Sequence, residues 1–182
     1  FIVLITFIIL TKQWREFRAV AFNAKTIGIY AVASVLLSIN WLIYVWGVNA
    51  GFIVETSLGY FINPLLSVLL GVLFLRERLR LTQWIPVILA AIGVIYLTVV
   101  YGRLPWIALS LAFSFGFYGL VKKLAPLGSL YGLTLETAIV FPIALIYLVV
   151  VETNGTGAFL HNSARIDLFL VGAGIVTTIP LL

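Results

Sequence analysis

Few side chains in this sequence could do chemistry, and most of those stand inside apolar runs. Glu136 is the one acid within a long apolar stretch, 130–151. Asn63 precedes Pro64 in "GYFINPLLSVLLGVLFLRER", residues 59–78, where Gly59, Asn63, Ser67 and Gly71 recur every four residues. Asn40 and Tyr44 share that spacing in 27–48, and Ser110, Ser114 and Tyr118 share it in 105–121. Amides, hydroxyls and a single carboxylate can bind and orient a polar solute, and the carboxylate can carry a proton. They do not make a catalytic set. The sequence has no cysteine and one histidine, His161, which leaves no thiolate or histidine cluster for a metal. It lacks H-E-x-x-H, a defensible Ser/His/Asp order and the Walker lysine, so hydrolysis and ATP drive are not expected. No enzyme activity, cofactor or metal is predicted.

The elements that must hold these residues are set by hydrophobicity. The chain is 63% hydrophobic and only 9% charged, with a mean hydropathy of +1.21. A soluble domain of this size carries about 25% charged residues. Too little polar surface remains to coat a globule, and the composition is that of a membrane protein. A spanning helix needs roughly 20 apolar residues. Runs of that kind lie at 27–48, 56–75, 84–101, 105–121 and 130–151. A stub occupies 1–10, and another run starts near 167. β-barrel strands would be shorter and would alternate in polarity, so the prediction is an all-α, polytopic transmembrane bundle. Both ends, "FIVLITFIIL" and "IVTTIPLL", are apolar, so about seven spans of a longer chain are expected, the first and last truncated.

Charge orients the spans. The loop after the first span holds Lys12, Arg15, Arg18 and Lys25. The loop after the third holds Arg76, Arg78 and Arg80, and that after the fifth holds Lys122 and Lys123. The intervening loops hold only Arg103 and Arg165. Basic residues mark cytoplasmic loops, so the first, third and fifth loops are assigned to the cytoplasm. The net charge of +5 is thus distributed by membrane side, which argues against a nucleic-acid partner. The expected surroundings are a lipid bilayer and a small-molecule substrate.

Polar side chains in spans face other helices or a cavity, because lipid offers no hydrogen bonds. Two readings of the Asn63 face stay open. One is a packing seam, in which small residues let helices approach closely. The other is a helix bent at Pro64 around a solute. Pro64 has no N–H for the carbonyl of Tyr60, and a kink is expected there and at Pro142. Glu136 lies about 9 Å into its span, six residues from the end. At that depth a carboxylate needs a wet cavity or a basic partner, with Lys122 and Lys123 the nearest cations in sequence.

The run "ETSLGYFINPLLSVLLGVLFLRERL" followed by "QWIPVILAAIGVIYL", with "NWLIYVWGVNAG" before and "GLTLET" after, resembles the RarD-type branch of the EamA family, in the drug/metabolite transporter superfamily. The looser superfamily pattern is a proline in the fourth helix and "E-R" at its end, matched here by Pro64 and Glu77-Arg78. The resemblance implies a bacterial inner-membrane permease of ten helices in two inverted five-helix repeats. Residues 1–101 would belong to the first repeat and 102–182 to the second. It implies transport of small organic solutes. The branch carries a chloramphenicol-sensitivity label, which names a phenotype. Asn63, Tyr60 and Ser67, Asn40 and Tyr44, and Ser114 and Tyr118 are then expected to line the substrate cavity. Glu136 is the candidate for coupling to a proton or cation. The competing expectation is a non-transporting membrane scaffold or assembly subunit whose polar faces only pack.

Overall fold

A computed structural model describes residues 1–102, 104–155, 157 and 164–178. Arg103 and His161 lie outside the described residues. Among the described residues, regular structure is entirely helical. The helices are α1 (Ile2–Leu10), α2 (Trp14–Ala21), α3 (Ala24–Asn49), α4 (Ile53–Leu75), α5 (Leu81–Tyr101), α6 (Trp106–Leu124), α7 (Ser129–Thr153) and α8 (Ala164–Thr178). α3 to α7 are each long and apolar enough to cross a membrane. Their exposed surfaces are dominated by Leu, Ile, Val and Phe, the reverse of a soluble protein and the arrangement a lipid solvent selects.

Each predicted run appears as a helix, and one helix was not foreseen. α2 occupies the basic stretch expected to be loop. Its Phe17 and Ala21, four residues apart, are buried on one face, while Arg15, Glu16 and Arg18 are exposed. The helices run without interruption through Pro64 in α4 and Pro142 in α7, and both prolines are exposed.

The chain forms two compact units. The first comprises residues 1–34 and 125–182. In it Ile8, Phe17 and Ala21 pack with Leu130, Tyr131 and Leu135, so α1, α2 and α7 share a core. The Tyr131 hydroxyl lies 3.1 Å from Oε1 of Gln13 and 3.2 Å from Oε2 of Glu16, tying α2 to α7. The buried Tyr30 of α3 exchanges hydrogen bonds with the backbone of Leu127, N–H and carbonyl both at 3.2 Å.

The second unit is residues 35–124, centred on α4 against α6. Leu58, Ile62, Leu66 and Leu70 of α4 meet Ala108 and Ala112 of α6. Small residues set the spacing. A Cβ on Gly59 would stand 3.1 Å from Cβ of Leu111, and one on Gly116 would stand 3.0 Å from a methyl of Leu66. α4 ends on Arg76 in the left-handed conformation, φ 55°. That turn lets the Glu77 N–H reach the Gly71 carbonyl at 3.2 Å and lays the Glu77 carboxylate over Gly71. α5 starts where the Arg80 N–H bonds Oε1 of Gln83 at 2.8 Å, closing the end of the new helix.

Candidate functional site

The second unit contains a cavity of about 100 Å³ walled by three spanning helices. α3 supplies Asn40, Trp41 and Tyr44, α4 supplies Thr56, Gly59, Tyr60 and Asn63, and α6 supplies Leu111 and Phe115. Helical periodicity explains the set. Thr56, Gly59 and Asn63 are three and four residues apart, as are Asn40 and Tyr44, and Leu111 and Phe115, so each helix turns one stripe inward. Gly59 lets α4 approach α6 closely beside the cavity, since a Cβ there would press on Leu111 and Ala108.

Asn40 is fixed by its own donors. Its Nδ2 donates to the carbonyl of Leu111 and to Oγ of Ser114, both at 2.9 Å. Ser114 is anchored in turn, donating to the carbonyl of Ser110 at 2.8 Å. The Tyr44 ring meets Tyr60 edge-on at 5.8 Å and Trp41 at 6.4 Å, which gives the cavity an aromatic rim. Asn63 differs: its Oδ1 is buried and has no hydrogen-bond partner among the described residues. Buried amide oxygens are normally paired, and an orphan in a cavity wall is poised for a partner the protein itself does not supply.

The expected residues divide between places. Asn40, Tyr44, Tyr60 and Asn63 come together around this cavity. Ser114 sits one hydrogen bond behind it, through Asn40. Ser67 lines a different cavity of about 200 Å³, with Gly71, Gly116, Glu77 and Lys123. There the Lys123 ammonium of α6 is ion-paired with the Glu77 carboxylate beyond α4. Tyr118 lines neither, and its ring packs on Phe115 at 5.8 Å. Glu136 belongs to the other compact unit, 2% exposed, with its backbone carbonyl accepting from Oγ of Ser34 at 3.2 Å. Sequence reasoning missed Trp41, Thr56, Gly59, Leu111 and Phe115 as lining. The signal for Thr56 was available, since it continues the stripe of Gly59 and Asn63 one turn earlier. Leu111 and Phe115 carry no polar mark to single them out.

Several apolar spans and a largely apolar, aromatic-rimmed cavity carrying a few polar groups, walled by three of them, define a polytopic helical membrane protein with room for a small solute. The model of the EamA-like transporter family matches residues 1–99, more than half of the chain, and the chain belongs to that family. It is 43% identical over its whole length to Protein RarD of Salmonella typhi and 42% identical to Protein RarD of Escherichia coli, covering 62% of each. An uncharacterized transporter of Vibrio cholerae is 46% identical, again over all 182 residues and 60% of that protein. The chain thus spans about three-fifths of the length of these curated relatives. No solved structure matches it.

Proposed function

We propose that this chain carries the solute-binding region of a secondary permease for small organic molecules in the bacterial inner membrane. One observation carries the reading: three spanning helices line a half-open cavity whose wall holds a buried amide oxygen with no hydrogen-bond partner among the described residues. Membership of a transporter family and the RarD relatives support the same class of activity. In this reading residues 1–101 and 102–182 are parts of two inverted repeats. The cavity takes most of its wall from the first and Leu111 and Phe115 from the second. Repeats that rock about a central site give alternating access. The loops before α3, between α4 and α5, and between α6 and α7 are cytoplasmic, and Glu136 couples movement to a proton or cation.

The test is uptake into vesicles holding the intact protein, across a panel of organic solutes that includes chloramphenicol. Asn63→Ala and Tyr60→Ala should each lower uptake of the carried solute at least about tenfold, the loss expected when a polar or aromatic contact to a bound ligand disappears. Uptake that is unchanged in both variants removes the cavity from the transport path. The scaffold reading draws on the close α4–α6 seam at Gly59 and Gly116. It would be favoured if no solute in the panel moved while the protein stayed folded.

A further inference from the structure

We infer that this cavity selects an uncharged, planar ligand group and rejects ions. The inference rests on the transport reading for its biological role but not for its chemistry. None of the lining residues is an Asp, Glu, Lys, Arg or His: the wall is two amides, a threonine hydroxyl, two phenols, an indole, a phenyl, a leucine and a glycine. The helices that form it cross the apolar part of the chain. A charge entering there leaves water without meeting a counter-charge among the lining residues, at a penalty of several kcal/mol. Aromatic faces attract a cation by only about 0.5–2 kcal/mol, too little to offset that loss. An anion meets the same penalty and, in addition, the negative ring faces. Amides and hydroxyls suit a neutral polar group, which needs both donors and acceptors. Trp41, Tyr44, Tyr60 and Phe115 suit a flat apolar body beside it.

Two further observations sharpen the class. The volume of about 100 Å³ is well below the roughly 300–1,000 Å³ of a pocket for a drug-sized ligand, so the group held is about one ring with a small polar substituent. Charged side chains in the same unit lie off this lining: the buried Glu55 of α4 directly precedes Thr56 without lining the cavity. Glu77 and Lys123 line the separate cavity with Ser67, where each already has the other as partner. Charge is thus kept off the lining itself, although α4 carries it next to Thr56 and α6 carries it at Lys123.

An isosteric series tests this directly: para-fluorobenzamide, para-fluorobenzoate and para-fluorobenzamidinium, titrated by fluorine NMR against the intact protein in lipid nanodiscs. The neutral amide should bind at least about tenfold more tightly than either ion, a conservative reading of the desolvation penalty. Its binding should weaken in Asn63→Leu and in Tyr60→Ala, the latter at a largely exposed residue outside the buried core. Asn63→Asp should invert the order by supplying a counter-charge, so that the benzamidinium binds better than the amide. Either ion binding as tightly as the amide to the unmodified protein overturns the inference. So does amide binding that is equal in all variants, which would be partition into the bilayer. The two readings also fail separately. Asn63-dependent uptake of a charged solute would leave transport standing and sink the neutral class. Cavity binding of the amide with no uptake of any solute would do the reverse.

Discussion

At the scale of single residues, Asn40 and Glu136 do different work. Asn40 reaches from α3 to two acceptors on α6, so it holds one cavity wall in place as well as lining it. Asn40→Leu keeps a similar volume and removes both bonds. Hydrogen bonds between membrane helices contribute about 0.6 kcal/mol on average and up to about 1.7. A loss in that range is expected from equilibrium unfolding in mixed micelles, together with weaker solute binding. An unchanged midpoint would mean the bonds are remade by other groups. Glu136→Gln is a cleaner substitution. The contact with Ser34 uses the backbone carbonyl of Glu136 and survives the change. Gln also keeps the size and a polar head, so the protein should fold and lose the dependence of uptake on a pH gradient. Uptake that keeps both its rate and its pH response would remove Glu136 from the coupling step.

At the scale of elements, the α4–α6 seam makes the cavity possible, and glycine controls how near the two helices come. A Cβ at Gly59 would press on Cβ of Leu111 at 3.1 Å and on the carbonyl of Ala108 at 3.4 Å, atoms held by the backbone of α6. Gly59→Ala should therefore destabilise the protein by about 1–3 kcal/mol. Gly93→Ala in α5, where a Cβ meets nothing within 4 Å, should be neutral or stabilise by up to about 1 kcal/mol through helix propensity. Equal unfolding midpoints for the two variants would show that the seam is not tight. The spans themselves were legible in the sequence because in lipid a long apolar run has one structural solution. α2 was not, because eight residues with three charges resemble a loop until Phe17 and Ala21 find the core. The stripe Gly59-Asn63-Ser67-Gly71 was legible only in part. Each step of four residues advances the stripe by roughly 40° and about 6 Å, so Ser67 has moved away along and around α4 to the Glu77 cavity. Tyr118 leaves the cavity for the same reason, one step beyond Ser114. Glu136 could not be placed from the chain, since its neighbour Ser34 is 102 residues distant in sequence.

At the scale of the whole molecule, the number of spans and the distribution of charge make separate demands on topology. Arg78 and Asn154 are both exposed and stand at opposite ends of a segment containing α5, α6 and α7. Three crossings place them on opposite sides of the membrane whatever the overall orientation. The basic loops add the sign: nine of the eleven Lys and Arg residues fall in loops assigned to the Arg78 side. The chain contains no cysteine, so single substitutions report position without further engineering. In intact cells a membrane-impermeant maleimide should label Asn154→Cys, and it should label Arg78→Cys only after the membrane is opened. The opposite pattern would keep the three crossings and invert the molecule, which would place the basic loops outside. Labelling of both from one side would mean that one of α5 to α7 does not cross. α5 has the most at stake in that outcome, because none of residues 81–100 is buried against the rest of the protein and lipid is the solvent their surface requires.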